Sequence, residues 1–171
     1  MSQILVMSLE RVERAVSRLA HQVIERNQGA DRLEVIGIRR RGVAVARALA
    51  GQIEDVAGRA FDVHELDITP YRDDRERVPA EDASVIHDDL TDRDVILVDD
   101  VLFTGRTARA ALDAIVHYGR PRSIQLVILV DRGHREYPIQ PDCVGRTINT
   151  KHDERVEVAR EEGGFGVYVE E

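Results

Sequence analysis

The chain has 171 residues, is 43% hydrophobic and 33% charged, and carries a net charge of -8; that length suits one domain with a sizeable core and leaves little room for a second. Its longest apolar runs are strand-sized, such as Leu126 to Val130, its N-terminus lacks a basic region followed by an apolar core, and Cys143 is its one cysteine, which together predict a cytoplasmic protein with no membrane span, no secretory signal, no internal disulfide and no cysteine-rich zinc site. The acid excess opposes indiscriminate nucleic-acid binding, although a local basic face could still act.

Ser8 is placed to cap a helix over Leu9 to Arg26, in which Val12, Val16, Leu19 and Val23 share one face at ~100° per residue. Arg11, Arg14, Arg18 and His21 gather on another face, either a solvated surface or a ligand site. Asn27 to Asp31 breaks this helix, and branched residues make Leu33 to Ile38 a strand. It runs into Arg39, Arg40, Arg41 and Gly42, followed by the helical spacing of Val43, Ala46, Leu49, Ile53 and Val56. Three guanidiniums in one turn offer forked contacts to phosphate oxygens.

Phe61 to Ile68 reads as a further strand. A charged stretch follows from Thr69 to Asp92 and contains Arg72, Arg75, Arg77 and Pro79; a loop of that length in a compact domain is functional or disordered. Val95 to Val98 then forms an apolar strand that ends in Asp99 and Asp100. A short spacer leads to Thr104, Gly105, Arg106 and Thr107, and the alanine-rich segment from Ala108 continues as a helix to Tyr118. A turn opening a helix offers unpaired N-H groups, two hydroxyls and the positive end of the helix dipole, which suit a phosphate. The two carboxylates upstream suit hydroxyls or a hydrated metal instead. A ribose 5-phosphate unit satisfies both halves, while the alternative is an acid pair that ends a strand before a helix capped by Thr104.

Gly119 to Pro121 ends that helix, Ser123 to Val130 is an apolar strand, and Arg155 to Ala159 with Gly166 to Val169 reads as a terminal hairpin around Gly163 and Gly164. Alternating strands and helices imply an α/β fold, a mostly parallel twisted sheet flanked by helices with ligands at the carboxyl ends of its strands. All three candidate ligand stretches lie at such ends.

The strand, acid pair and Thr-Gly-Arg-Thr turn resemble the phosphoribosyl-diphosphate (PRPP) motif of the type I phosphoribosyltransferases. The stretch Gly119 to Ile139, with Ile68 to Asp74 and the first helix, is similar to the PyrR family, bacterial pyrimidine-operon attenuation regulators that are also uracil phosphoribosyltransferases. The resemblance covers nearly the whole chain. It implies one type I phosphoribosyltransferase domain over 1–171, with a core at about 30–130, a flexible lid at about 70–92, and a small hood and terminal hairpin at about 131–171.

The implied reaction joins uracil to PRPP, giving UMP and pyrophosphate with Mg2+ bound through the substrate near Asp99 and Asp100, the catalytic pair. The resemblance assigns the 5-phosphate to Thr104, Gly105, Arg106 and Thr107. It assigns pyrophosphate to Arg40, Arg41, Gly42 and a lid arginine, Arg72, Arg75 or Arg77, and the base to Arg132 and Val156. Family members often hold a non-proline cis peptide in the pyrophosphate loop, which Gly42 would help accommodate. A homodimer or higher oligomer would present Ser17, Arg18, His21, Arg26, Arg135 and Arg146 to a stem-loop of the operon messenger.

Gln140, where an arginine is common, removes one phosphate contact from that face. Cys143 in place of an aromatic, and Asn149 in place of a proline, alter the hood and with it base preference. A purine phosphoribosyltransferase, or an RNA-binding regulator with little enzymatic activity, is therefore the alternative reading. Lys151 is the one lysine among 24 basic residues, which fits either genomic composition bias or adaptation to a salty cytoplasm.

Overall fold

The computed structural model describes residues 2–74 and 81–171. Its main sheet has five parallel strands in the order β3-β2-β4-β5-β6, made of Leu33–Ile38 (β2), Val63–Leu66 (β3), Asp94–Leu102 (β4), Ser123–Asp131 (β5) and Cys143–Thr147 (β6). Among the described residues three α-helices flank it, Leu9–Arg26 (α1), Arg41–Ala57 (α2) and Arg106–Ile115 (α3). A smaller antiparallel sheet of order β1-β8-β7 joins the N-terminal strand Gln3–Met7 (β1) to the terminal hairpin Arg155–Glu161 (β7) and Gly164–Glu170 (β8).

Strand alternation sorts the core into two apolar clusters, one on each face of the sheet. Val35, Ile96, Val98, Val127 and Leu129 pack with α1 and α2, whereas Ile36, Leu97, Leu126 and Ile128 meet the alanine face of α3. Because β4 is buried on both faces over Asp94 to Val98, its sequence is a continuous apolar run, as a central parallel strand requires. In α1 the expected face is buried at Val12, Val16, Leu19 and Val23, joined by Ala15 and Ala20. Each such aliphatic side chain contributes roughly 1.5–3 kcal/mol by leaving water, so Leu19→Ala, at a position only 1% exposed, would cost about 2–5 kcal/mol.

Several boundaries differ from the sequence reading. Ser8 stands at the N-cap of α1, but its side chain makes no capping bond; its carbonyl accepts the Val12 N-H at 3.0 Å. The strand does not stop at the acids, since β4 pairs with β5 through Asp99, Val101 and Leu102. The Phe61 to Ile68 strand shortens to β3 and continues as a 3-10 turn at Thr69–Tyr71. A second 3-10 turn at Val116–Tyr118 finishes α3. The sheet also extends past the 30–130 stretch, because β6 pairs in parallel with β5 at Val127 with Cys143 and at Val130 with Arg146.

Candidate active site

The carboxyl ends of β2, β3 and β4 open on one cleft of about 560 Å³, lined by Arg39, Arg40, Arg41, Asp67, Ile68, Thr69, Arg72, Ala83, Asp99, Asp100, Val101 and Thr107. Parallel strands place their following loops at one end of a sheet, so stretches roughly 70 residues apart in sequence meet there. The arginine turn, the segment from Asp67 to Arg72, the acid pair and the helix-opening turn are thus brought together. Arg75 and Arg77 lie outside the described residues.

The peptide bond between Arg39 and Arg40 is cis. Gly42 is constrained by β4: a Cβ there would lie 2.7 Å from the Val98 carbonyl oxygen and 2.9 Å from Asp99 Oδ1. Glycine therefore lets α2 start against the strand that carries the acids. The three guanidiniums of this turn are not equivalent. Arg39 donates to Glu65 at 2.9 Å, a carboxylate that also holds Arg47 at 2.8 Å. Arg41 pairs with Glu157 of β7 at 3.0 Å. Arg40, which is exposed, has no ion pair or hydrogen bond among the described residues. Arg72 is held by Asp74 in a fork of 2.8 and 2.5 Å.

Asp99 and Asp100 sit side by side, half-buried, and Asp99 Oδ1 accepts the Asp100 N-H at 2.9 Å. Burial, and then the negative charge of Asp100, push the Asp99 carboxyl well above the usual aspartate range. Among the described residues neither carboxylate has an ion-pair partner. Asp67, which the motif reading missed, accepts the Thr69 N-H at 3.0 Å, the Thr69 hydroxyl at 2.7 Å and the Ala83 N-H at 3.2 Å. Its own N-H donates to Ser84 at 2.7 Å. Although burial alone raises its pKa, those donors hold it below the ordinary value. Asp67 thereby ties Thr69 to Ala83 and Ser84, and a bridge pairs Glu65 with Val85. An acid between β3 and a long loop is the signal that could have found it, since an Asp there can close an Asx turn onto the backbone two residues on.

In the Thr104 to Thr107 turn, Gly105 is the N-cap of α3 with φ 89°, a left-handed conformation that favours glycine. The Thr104 hydroxyl does not cap α3 in the usual register; it accepts the Arg106 N-H at 3.3 Å. Intrahelical bonding starts with the Arg109 N-H to Gly105 oxygen at 3.0 Å, leaving the Thr107 and Ala108 N-H groups without intrahelical acceptors at the positive end of the helix. The Arg106 side chain turns elsewhere, to Glu136 at 2.9 Å, Tyr137 at 2.8 Å and Asp73 at 3.1 Å. Only its backbone is left to the turn.

Neither residue expected at the base lines this cleft. Arg132 is 6% exposed, its guanidinium 4.0 Å above the Phe103 ring, and it donates to the Lys151 and His152 carbonyls at 2.9 and 3.2 Å; burial draws its pKa down. Val156 is buried in the apolar cluster beneath α1 and α2. Phe103 also packs beside the rings of His134 and His152, at 5.9 and 5.4 Å.

The residues expected at RNA separate into two places. Arg18 donates to the Gly145 carbonyl, Arg26 pairs with Asp142 at 2.9 Å, and Arg146 donates to the Val6 carbonyl at 3.0 Å. With Ser17 and His21 they line the edge where α1 meets β6, His21 Nδ1 lying 2.8 Å from the Ser17 carbonyl. Arg135 is far from that edge in its contacts. Its guanidinium is forked onto Asp131 at 2.8 and 2.6 Å and bonded to the Ile139 and Phe103 carbonyls, a buttress under the PRPP-like turn.

Glu34, His64 and Asp88 bring ligand atoms within 4.8 Å of one another and could hold a metal ion. They do not belong to the cleft. Glu34 pairs in register with Val95, four residues before Asp99, so about 13 Å of strand separates them. No described helix is long and apolar enough to cross a membrane.

The phosphoribosyl transferase domain family matches residues 6–161 of the chain. The chain is similar to solved hypoxanthine phosphoribosyltransferases. One from Staphylococcus aureus is 18% identical with a TM-score of 0.69, covering 86% of this chain and 79% of that one. A mutant form from Trypanosoma cruzi is 17% identical with a TM-score of 0.71, covering 85% and 81%. At such identity these share the fold alone. The proteins named bifunctional protein PyrR from Bacillus mycoides (strain KBAB4) and Bacillus cereus (strain B4264) are each 48% identical over 162 residues, covering 92% of this chain and 90% of theirs. Likeness at that level, over nearly the full length of both partners and on a type I phosphoribosyltransferase fold, places this chain in the PyrR family.

Proposed function

We propose that the cleft transfers a phosphoribosyl group from PRPP to uracil, giving UMP and pyrophosphate. The observation that carries this reading is the meeting of Asp99, Asp100, Thr107 and Arg40 in one cleft at the carboxyl ends of the strands. Breaking the anomeric C-O bond leaves an electron-poor sugar and a highly charged leaving group, so positioning and electrostatic stabilisation are the protein's main tasks. Thr104, Thr107 and the free N-H groups of α3 anchor the 5-phosphate. Asp99 and Asp100 accept ribose hydroxyls and would hold a hydrated Mg2+, which would supply positive charge against the pyrophosphate. Arg40 meets the pyrophosphate first because no carboxylate among the described residues competes for it, with Arg41, Gly42 and a lid arginine completing that end. Arg132 and Val156 back the segment against which the base rests. The test is PRPP-dependent nucleotide formation with uracil, hypoxanthine and guanine supplied separately. UMP from uracil alone supports the reading, and turnover with purines alone overturns it.

The name of the relatives, bifunctional, motivates a second role, binding a stem-loop in pyrimidine-operon RNA with UMP as effector. The gathering of Arg18, Arg26 and Arg146 at the α1 and β6 edge favours it, since phosphate contacts and shape dominate such recognition. A homodimer would enlarge this face. Arg18→Glu should weaken an RNA mobility shift at least tenfold while leaving UMP synthesis unchanged; equal shifts for both proteins would remove this edge from the reading.

A further inference from the structure

His64 of β3 is 1% exposed, and polar atoms buried to that degree normally have a partner. Its Nε2 lies 3.0 Å from Glu34 Oε2 on the neighbouring strand β2 and 3.6 Å from Asp88 Oδ2, on the segment that leads from the lid into β4. Nδ1 meets no partner among the described residues, so the ring's polar contacts are all directed at the two carboxylates.

Four-coordinate zinc, with Zn-N and Zn-O bonds near 2.0–2.2 Å, sets neighbouring ligand atoms ~3.3 Å apart. The two His64 distances bracket that value, and all three ligand atoms fall within 4.8 Å. Glu34 is already oriented for the task. Its Oε1 takes Arg93 at 2.8 Å, which leaves Oε2 for the ion, and such an outer contact is how ligating carboxylates are fixed.

The open side faces a separate cleft of about 420 Å³, lined among others by Asp62, Asp88, Asp89, Arg59 and Arg93. Counting Glu34, its four carboxylates outnumber the two guanidiniums, which favours a cation there.

We propose that Glu34, His64 and Asp88 form a binding site for a borderline divalent ion of the zinc class, distinct from the Mg2+ expected with PRPP. One imidazole with two carboxylates favours zinc over magnesium, which prefers oxygen ligands and keeps its water. Asp88 is the exposed member, at 60%, and completes the site from outside, with water in the remaining position. Bound metal would tie β2 and β3 to the segment entering β4 at the end of the sheet opposite the catalytic cleft. Its role is structural.

The test is calorimetric titration of chelator-stripped full-length protein with Zn2+ in excess Mg2+, together with melting curves. One Zn2+ per chain is expected, with Tm raised by about 5–10 °C at a hundredfold excess over Kd. Asp88→Asn and His64→Gln should each weaken Zn2+ binding at least tenfold. Asp88→Asn keeps the test sound if the buried His64 variant misfolds. Absence of stoichiometric uptake, affinity within twofold of wild type in Asp88→Asn, or a site lost instead on His152→Ala would each overturn the proposal. The last variant probes a separate pair of histidines, His134 and His152, whose rings are 5.5 Å apart.

Discussion

Two glycines in α2 should respond to alanine with opposite signs. At Gly42 an added Cβ would sit 2.7 Å from the Val98 carbonyl oxygen, 2.9 Å from Asp99 Oδ1 and 3.1 Å from Asp99 Cα. Two of these contacts are with the backbone of a central strand, which has no rotamer to change, so the helix must move instead. Overpacking of this kind costs about 1–3 kcal/mol, and at ~2–4 °C per kcal/mol for a chain of this size Tm should fall by roughly 2–12 °C. The displaced end of α2 carries Arg40 and Arg41, so PRPP affinity should fall as well. At Gly51, by contrast, nothing lies within 4 Å of the added Cβ. Alanine there gains about 0.5–1 kcal/mol of helix propensity, and Tm should rise by about 1–4 °C. Calorimetric melting of both variants, with PRPP titrations, measures this. A Gly42→Ala protein that melts within a degree of wild type and binds PRPP normally would refute the close-approach argument.

Asp99→Asn should separate stability from activity. Because the folded-state pKa of Asp99 is raised, the native state binds more protons than the unfolded chain between the ordinary aspartate pKa and the raised one, and stability falls as pH rises through that window. The variant should therefore melt higher than wild type at pH 7.5, lose that advantage near pH 3.5, and turn over poorly; equal Tm differences at both pH values would contradict the sign. Asp100→Asn should lower turnover at least tenfold with the fold intact, and near-normal activity would remove it from the mechanism. Thr107→Val should mainly raise the KM for PRPP, which steady-state kinetics reads directly. Arg135→Ala should lose its contacts to Asp131, Ile139 and Phe103, costing about 1–3 kcal/mol. A drop in Tm of roughly 2–12 °C is expected; selective loss of RNA binding with unchanged Tm would return Arg135 to the RNA face.

Local pattern carried a large share of the architecture. The bounds of α1 and β2, the strand before the acids and the hairpin around Gly163 were readable because helical and strand periodicities arise from neighbours in the chain. Two short strands were not. β1 finds its partner β8 at the other end of the chain, with Gln3 opposite Glu170, and β6 reads as part of a loop-rich segment until β5 offers its edge. Their five residues each hold too little alternation to be told from irregular chain.

The amino-acid sequence by itself determined where the candidate ligand groups lie, since acid pair, Thr-Gly-Arg-Thr turn and arginine turn are each contiguous and each follows a strand. Only the tertiary structure decided what each charged side chain is free to do. Among the described residues Arg40 stands open, while Arg39, Arg41, Arg106 and Arg135 are engaged by Glu65, Glu157, Glu136 and Asp131. Ion-pair partners come from segments brought together by sheet order and strand register, so a guanidinium's availability depends on long-range packing that residue type and spacing do not encode. The same holds for Glu34, His64 and Asp88, ordinary residues in sequence that meet because β2 and β3 are neighbours in the sheet.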